Sequence, residues 1–120
     1  MKSKWVDHNG KKIWHIDLSG FGSNVHATQD ELEAASQVTL QQPENSLLVL
    51  SDLSGTTIST QLLKIAQKSS ADTNKYVKKT AVIGITGYRK YFIDAVSAFS
   101  GQKFSAFNTM EEALDWLAQD

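Results

Sequence analysis

The sequence predicts a single α/β domain with the element order ββαβαβαβα, in which helices pack against a mixed sheet. The chain has 120 residues, the length of one ordinary domain. Residues 47–50 and 80–85 are apolar runs without alternation, as in strands that are covered on both faces. Segments with helical spacing alternate with such runs, which is typical of parallel strands joined by helices. No linker or repeat interrupts residues 1–120, so we expect one domain.

Composition narrows the class of protein. Apolar residues make up 41% of the chain and charged residues 21%, close to globular averages, which excludes disordered, collagen-like and coiled-coil classes. The chain has no cysteine, which excludes disulfides and thiolate chemistry and fits a reducing compartment. No apolar segment follows the basic start, and no run approaches the roughly 20 residues that span a bilayer. We therefore expect a cytoplasmic protein with neither signal peptide nor transmembrane segment.

Charge gives little reason to expect a nucleic-acid partner. The formal net charge is −1, and a binding domain for nucleic acid is usually strongly basic. Residues 64–103 are more basic than their flanks. Solvated helix faces and a basic patch both account for that bias, and we expect no nucleic-acid partner.

The first elements are predicted to form a hairpin. Residues 4–7 and 12–18 are β-prone and are separated by a turn containing Asn9 and Gly10, a pair that tolerates positive φ. Period-2 alternation gives the second strand one better-buried face, formed by Trp14, Ile16 and Leu18, and a second face formed by Ile13, His15 and Asp17. A flexible loop over residues 19–24 is predicted to follow.

Capping signals place the first two helices. Thr28 and Glu31 have the spacing of a capping box, which predicts a helix from residue 28 to about residue 41, ended by Pro43. After the strand at 47–50, residues 51–57 are rich in capping side chains and precede apolar positions at helical spacing, Ile58, Leu62, Ile65 and Ala66. The second helix is therefore predicted to begin at the end of this loop.

The second half repeats the alternation. After the strand at 80–85, residues 88–99 are predicted to form a third helix with Gly101 as its stop. A short strand at 103–107 precedes a last helix capped by Asn108 and Thr109. The apolar face of that helix is predicted to comprise Met110, Ala113, Leu114 and Leu117, with Trp116 beside it as a half-exposed partner surface.

Four segments of the chain together carry a family resemblance. They are Leu-Leu-Val-Leu-Ser-Asp-Leu-Ser-Gly at 47–55, Tyr-Val-Lys-Lys-Thr-Ala-Val-Ile-Gly at 76–84, Phe-Asn-Thr-Met-Glu-Glu-Ala-Leu-Asp-Trp-Leu at 107–117, and Ile-Asp-Leu-Ser-Gly at 16–20. The chain resembles the STAS domain of anti-sigma-factor antagonists and, more closely, the SpoIIAA-like family of small bacterial proteins, over most of its length. The resemblance implies a STAS-like or SpoIIAA-like fold, and a non-enzymatic regulatory or protein-interaction module with a protein partner. Monomer and homodimer both stay open.

The resemblance also implies a phosphorylation site. In STAS proteins a partner kinase phosphorylates the serine or threonine directly after the strand-end aspartate, at the start of the next helix. Here Leu53 follows Asp52, so the hydroxyl is displaced by one position and Ser54 becomes the candidate phosphoacceptor.

The loop after the third strand is the candidate recognition site. Asp52, Ser54, Gly55, Thr56 and Thr57 are predicted to form a loop that binds a partner or an anion, because backbone N–H groups at a helix start favour negative charge. The alternative is that these residues only cap the second helix.

A small apolar or lipid-like ligand is the second functional hypothesis, because the SpoIIAA-like group is compared with the Sec14-type lipid-binding domain. Tyr88, Phe92, Val96 and Phe99 are the candidate pocket residues, with ordinary core packing as the alternative. The resemblance implies no cofactor.

Catalytic and metal motifs are not predicted. The three histidines, His8, His15 and His26, lack the spacing of a metal site. An enzyme is the weakest hypothesis, and it depends on His15, Asp17 and Asp52 meeting at the strand ends. Gly84 and Gly87 bracket a turn before the third helix without matching a nucleotide-binding motif, and they direct attention to Tyr88 and Arg89.

Overall fold

The computed structural model of the protein describes residues 1–85 and 87–119, with the side chain of Tyr88 outside the description. The strands are β1 Lys4–His8, β2 Lys11–Asp17, β3 Leu47–Asp52, β4 Val77–Ile83 and β5 Phe104–Ala106. The α-helices are α1 Val25–Thr39, α2 Thr60–Thr73, α3 Lys90–Ser100 and α4 Met110–Ala118, and short 3₁₀ turns lie at Asn74–Tyr76 and Gly87–Arg89. This confirms the predicted order ββαβαβαβα.

The five strands form one mixed sheet in the order β1-β2-β3-β4-β5. β1 and β2 are antiparallel and joined by the predicted turn, in which Asn9 and Gly10 have φ of 50° and 78°. The pairs β2/β3, β3/β4 and β4/β5 are parallel. The carboxyl ends of β2, β3 and β4 therefore meet at one end of the sheet, which we call the carboxyl edge.

Helices cover both faces of the sheet. The larger core lies on the face that carries Trp14 and Val49 and is closed by side chains such as Leu32 of α1, Leu62 of α2 and Phe92 of α3. The smaller core lies on the other face, under Ala113 and Leu117 of α4. The predicted better-buried face of β2, with Trp14, Ile16 and Leu18, is buried, and the second face is covered as well, because α4 packs on it and Ile13 is 0% exposed there.

The N-cap of α1 lies four residues before the one that the capping box predicts. Asn24 is the N-cap, with its side chain accepting from the backbone N of Ala27. Thr28 lies inside the helix and donates its hydroxyl to the carbonyl of Asn24. The Glu31 carboxylate instead accepts from the backbone N–H groups of Lys2 and Ser3. The predicted capping partner thus ties the N-terminal segment to α1.

α2 begins later than predicted. Its N-cap is Ser59, which accepts from the backbone N of Leu62. The loop after β3 is therefore separate from the helix start, and Thr56 and Thr57 are not its caps. Gly101 ends α3 with φ of 76°, as predicted. None of the helices in the two described stretches is long and apolar enough to cross a membrane.

The last helix follows its prediction with one exception. Thr109 caps α4 by accepting from the backbone N of Glu112. Ala113 and Leu117 are buried, whereas Met110 is an exposed residue in the first turn.

Candidate functional site at the carboxyl edge

The loops that follow β2 and β3 continue the pairing of the sheet beyond the strands. The backbone N of Gly20 donates to the carbonyl of Ser54 at 2.8 Å, and the N of Gly22 donates to that of Gly55 at 2.9 Å. The N of Thr57 donates back to the carbonyl of Gly22 at 2.8 Å. We call residues 18–24 and 53–58 the loop ledge. The predicted flexible loop at 19–24 is thus half of a joined surface.

Thr56 holds the two loops of the ledge together from inside. Its side chain is buried, and its hydroxyl donates to the carbonyl of Leu18 while accepting from the backbone N of Phe21 at 3.2 Å. The predicted role of Thr56 as a partner-facing residue is therefore corrected, because its polar atom is used within the molecule.

Arg89 and Gly84 support the ledge from β4 and the turn after it. One guanidinium nitrogen of Arg89 donates to the carbonyls of Leu53 at 3.1 Å and Thr56 at 2.7 Å. Gly84 has φ of +83°, and a Cβ at this position would lie 2.4 Å from the backbone N of Ser54. Only glycine lets this segment pass so close to the ledge.

Three of the predicted recognition residues are exposed on the ledge, namely Ser54, Gly55 and Thr57. Asp52 is half-buried, and its carboxylate accepts from the backbone N of Ser54 at 2.9 Å. This N–H is therefore not free for an anion. Since α2 begins at Thr60, the helix-start argument for anion binding does not apply to this loop.

A cluster of three polar residues lies at the carboxyl edge: His15, Asp17 and Asp52. They are on the same sheet face as the smaller core, which α4 covers. Asp17 pairs with Asp52 in the parallel register of β2 and β3, and His15 precedes Asp17 by two positions on the same face. One nitrogen or oxygen from each side chain lies within 4.8 Å of the others. The convergence that strand-end reasoning required is thus present.

The cluster is asymmetric in burial. His15 is 5% exposed, and its Nε2 has no hydrogen-bond partner within the described chain. Burial lowers the pKa of His15 below its ordinary value, and this effect outweighs the opposing influence of the Asp17 and Asp52 carboxylates. The imidazole is therefore neutral at neutral pH.

Asp17 is held in its charged form. Burial alone would raise its pKa, but the side-chain and backbone hydrogen bonds from Ser19, followed by the charge of Lys2, lower it below the ordinary value. The Lys2 ammonium lies 3.5 Å from the Asp17 carboxylate. Ser19 donates to Asp17 rather than to His15, which differs from the nucleophile-to-base order of a hydrolytic triad.

The predicted ligand-pocket residues separate in the structure. Phe92 and Val96 line a cavity of about 80 Å³ between the sheet and α1, α2 and α3. Phe99 does not line it, because this residue lies in the last turn of α3 and is 63% exposed. The Tyr88 side chain lies outside the described part of the chain.

Trp116 is half-buried and already engaged. Its ring lies 5.4 Å from that of Phe107 and 5.0 Å from the Lys79 ammonium. Much of the surface predicted for a partner at this residue is therefore used to pack α4.

Sequence reasoning missed the residues that join the ledge. It marked Arg89 only as a residue near a turn, and it assigned no role to Gly20 or Gly22. The available signal was the pair of glycine-containing loops after two neighbouring strands, which allows their backbones to approach.

Comparison with known proteins identifies the fold. No protein-family model and no curated protein matches the chain. The crystal structure of an uncharacterised DUF3478-family protein with a SpoIIAA-like fold from Shewanella loihica PV-4 matches with a TM-score of 0.69. The match covers 97% of this chain and 92% of the other at 18% sequence identity. The chain therefore has a SpoIIAA-like fold, in agreement with the resemblance and the predicted fold class.

Proposed function

We propose that the chain is a non-enzymatic regulatory module of the cytoplasm that binds a partner protein through the loop ledge. The observation that carries this proposal is the joining of the two loops by backbone hydrogen bonds at the carboxyl edge. In open α/β sheets, ligands usually bind outside the carboxyl ends of the strands.

A joined ledge suits binding because its backbone is already ordered. Ordering a mobile loop on association costs conformational entropy, and a surface fixed beforehand avoids much of that cost. Thr56 and Arg89 fix the ledge from within, while Ser54, Gly55 and Thr57 face solvent. Their small size lets a partner approach the backbone closely.

An exposed aromatic side chain lies close in the chain to Arg89, which contacts the ledge. Tyr91 follows Arg89 by two residues and is 76% exposed. Tyrosine is enriched among the residues that dominate binding energy at interfaces. Together with the ledge, Tyr91 supplies an anchor that a surface of small polar residues lacks.

Ser54 is the phosphoacceptor that we propose for this surface, because it is an exposed residue of the ledge and follows Asp52 by two positions. A phosphate there would add nearly two negative charges close to Asp52, whose carboxylate already accepts from Ser54. The resulting repulsion would disturb the ledge and weaken partner binding.

The cavity gives less support to a lipid-like cargo. Its volume is about 80 Å³, whereas pockets for small molecules usually measure about 300–1,000 Å³. Several hydroxyl groups, including those of Thr39, Thr73 and Thr80, also line it. We therefore assign recognition to the ledge.

Site-specific photo-crosslinking in cells of the native host tests the proposal. A benzophenone amino acid at Thr57 or Tyr91 is expected to capture the same discrete protein. The control position is Glu44, which is exposed in the loop before β3, at the opposite end of that strand. Capture of the same proteins from all three positions, or none from Thr57 and Tyr91, would contradict the proposal.

A further inference from the structure

We propose that His15, Asp17 and Asp52 form a binding site for one divalent metal ion, of which Zn²⁺ and Mn²⁺ are the candidates. The sheet register brings together residues from two strands that are far apart in sequence. Because the ligand residues come from β2 and β3 rather than from one helix or loop, their spacing in the sequence matches no metal-binding motif. Metal binding at this site requires no partner at the ledge.

The distances among the three side chains suit one ion. A donor atom from each lies within 4.8 Å of the others. Two ligands of a tetrahedral ion, with bonds of about 2.1 Å each, are about 3.4 Å apart. Small side-chain rotations therefore bring all three into coordination distance.

The buried imidazole is the second observation that points to a ligand. His15 is 5% exposed, and its Nε2 lacks a hydrogen-bond partner among the described residues. Buried polar atoms are normally satisfied, and an unpaired one calls for an explanation such as an absent ion or water. The carboxylates of Asp17 and Asp52, half-buried beside it, supply negative charge.

The donor set selects the kind of ion. Two carboxylates alone would suit Mg²⁺, Ca²⁺ or Mn²⁺, whereas the imidazole nitrogen favours Zn²⁺. Among the described residues, the hydrogen bonds to the two aspartates use only Oδ1: Ser19 donates to Asp17, and the backbone N of Ser54 donates to Asp52. The second carboxylate oxygens are then available for coordination.

The positive charge of Lys2 would repel a metal ion bound at this site. Its ammonium lies 3.5 Å from the Asp17 carboxylate and donates to the carbonyl of Ser19. Lys4, the cross-strand partner of His15, adds a second positive charge nearby. Removing the charge of Lys2 should therefore strengthen metal binding several-fold.

Isothermal titration of the whole chain with ZnCl₂ and with MnCl₂, and MgCl₂ as the comparison, tests the site. We expect one Zn²⁺ per chain, at least tenfold tighter than Mg²⁺, and at least tenfold weaker binding in Asp52→Asn and in Asp17→Asn. His8→Ala is the matched control, because His8 and Asp115 form an exposed pair elsewhere and should leave the affinity unchanged. No binding to the wild type, or equal binding by the aspartate variants, would overturn the proposal.

A second readout needs no substitution. In the wild type, the imidazole ¹⁵N resonances of His15 are expected to shift on adding one equivalent of Zn²⁺, while those of His26 stay in place. Shifts confined to His8 or His26 would show that Zn²⁺ binds elsewhere and would also overturn the proposal.

Discussion

Gly84 is the residue on which the position of the ledge depends most directly. A Cβ there would meet the backbone N of Ser54 at 2.4 Å, and the positive φ of +83° adds strain. We expect Gly84→Ala to lower the free energy of unfolding by about 2–5 kcal/mol, because overpacking costs roughly 1–3 kcal/mol and a left-handed backbone roughly 1–2 kcal/mol. Urea denaturation measures the change.

Gly87→Ala is the matched control for this substitution. Gly87 also has positive φ, at +58°, but apart from its two chain neighbours no described residue has an atom within 4 Å of a Cβ placed there. Its expected cost is therefore the backbone strain alone, about 1 kcal/mol. Equal losses in the two variants would contradict the close approach of Gly84 to the ledge.

Individual residues show why parts of the site could not be predicted. The sequence placed Asp52, Ser54 and Gly55 in the recognition loop, and two of these are exposed. It could not show that Thr56 turns inward, since hydroxyl side chains occur both on surfaces and as internal hydrogen-bond partners. The inward position depends on the carbonyl of Leu18 in another loop.

At the scale of elements, Glu31 joins the N-terminal segment to α1. Burial by itself would raise the pKa of Glu31, but hydrogen bonds from the backbone N–H of Lys2 and from Ser3 lower it below its ordinary value. A carboxylate with a lowered pKa in the fold stabilises the protein above its unfolded pKa, about 4.3 for glutamate. That contribution is lost as the pH falls through the folded value.

Glu31→Gln should therefore cost about 1–3 kcal/mol at pH 7, as for a buried charged hydrogen-bonding group. The difference from wild type should shrink as the pH is lowered from 5 to 3, as followed by thermal or urea unfolding. Glu33→Gln on the exposed side of α1 removes the same charge and is the control. A difference that stays constant over this range would argue against the role of the Glu31 carboxylate.

Every strand and α-helix could be predicted from the sequence, but the starts of α1 and α2 could not. Thr28 and Glu31 have the correct capping spacing, yet Asn24 supplies the cap because Glu31 binds backbone groups of Lys2 and Ser3. Such a choice between local and distant partners is decided by tertiary structure. The same holds for α2, where several residues could cap and Ser59 does.

At the scale of the whole molecule, topology decides which residues meet. Alternating strands and helices predicted a mixed sheet with parallel later strands, and the SpoIIAA-like fold confirms it. The pairing of Asp17 with Asp52 follows from β2 lying next to β3, which no spacing in the sequence reveals. Both faces of this sheet are covered, so the carboxyl edge is left as the place where strand-end polar groups gather.

Amide hydrogen exchange by NMR across the whole molecule tests most directly whether the loop ledge is already ordered in the free protein. The amides of Gly20, Gly22 and Thr57 donate across the ledge, whereas Ser54 donates only to the Asp52 side chain. Opening of the ledge should require the breaking of several hydrogen bonds at once. We expect the three cross-ledge amides to be protected at least 100-fold relative to an unstructured peptide. Exchange of these amides at unprotected rates, while the amides of β3 stay protected, would contradict a preformed recognition surface.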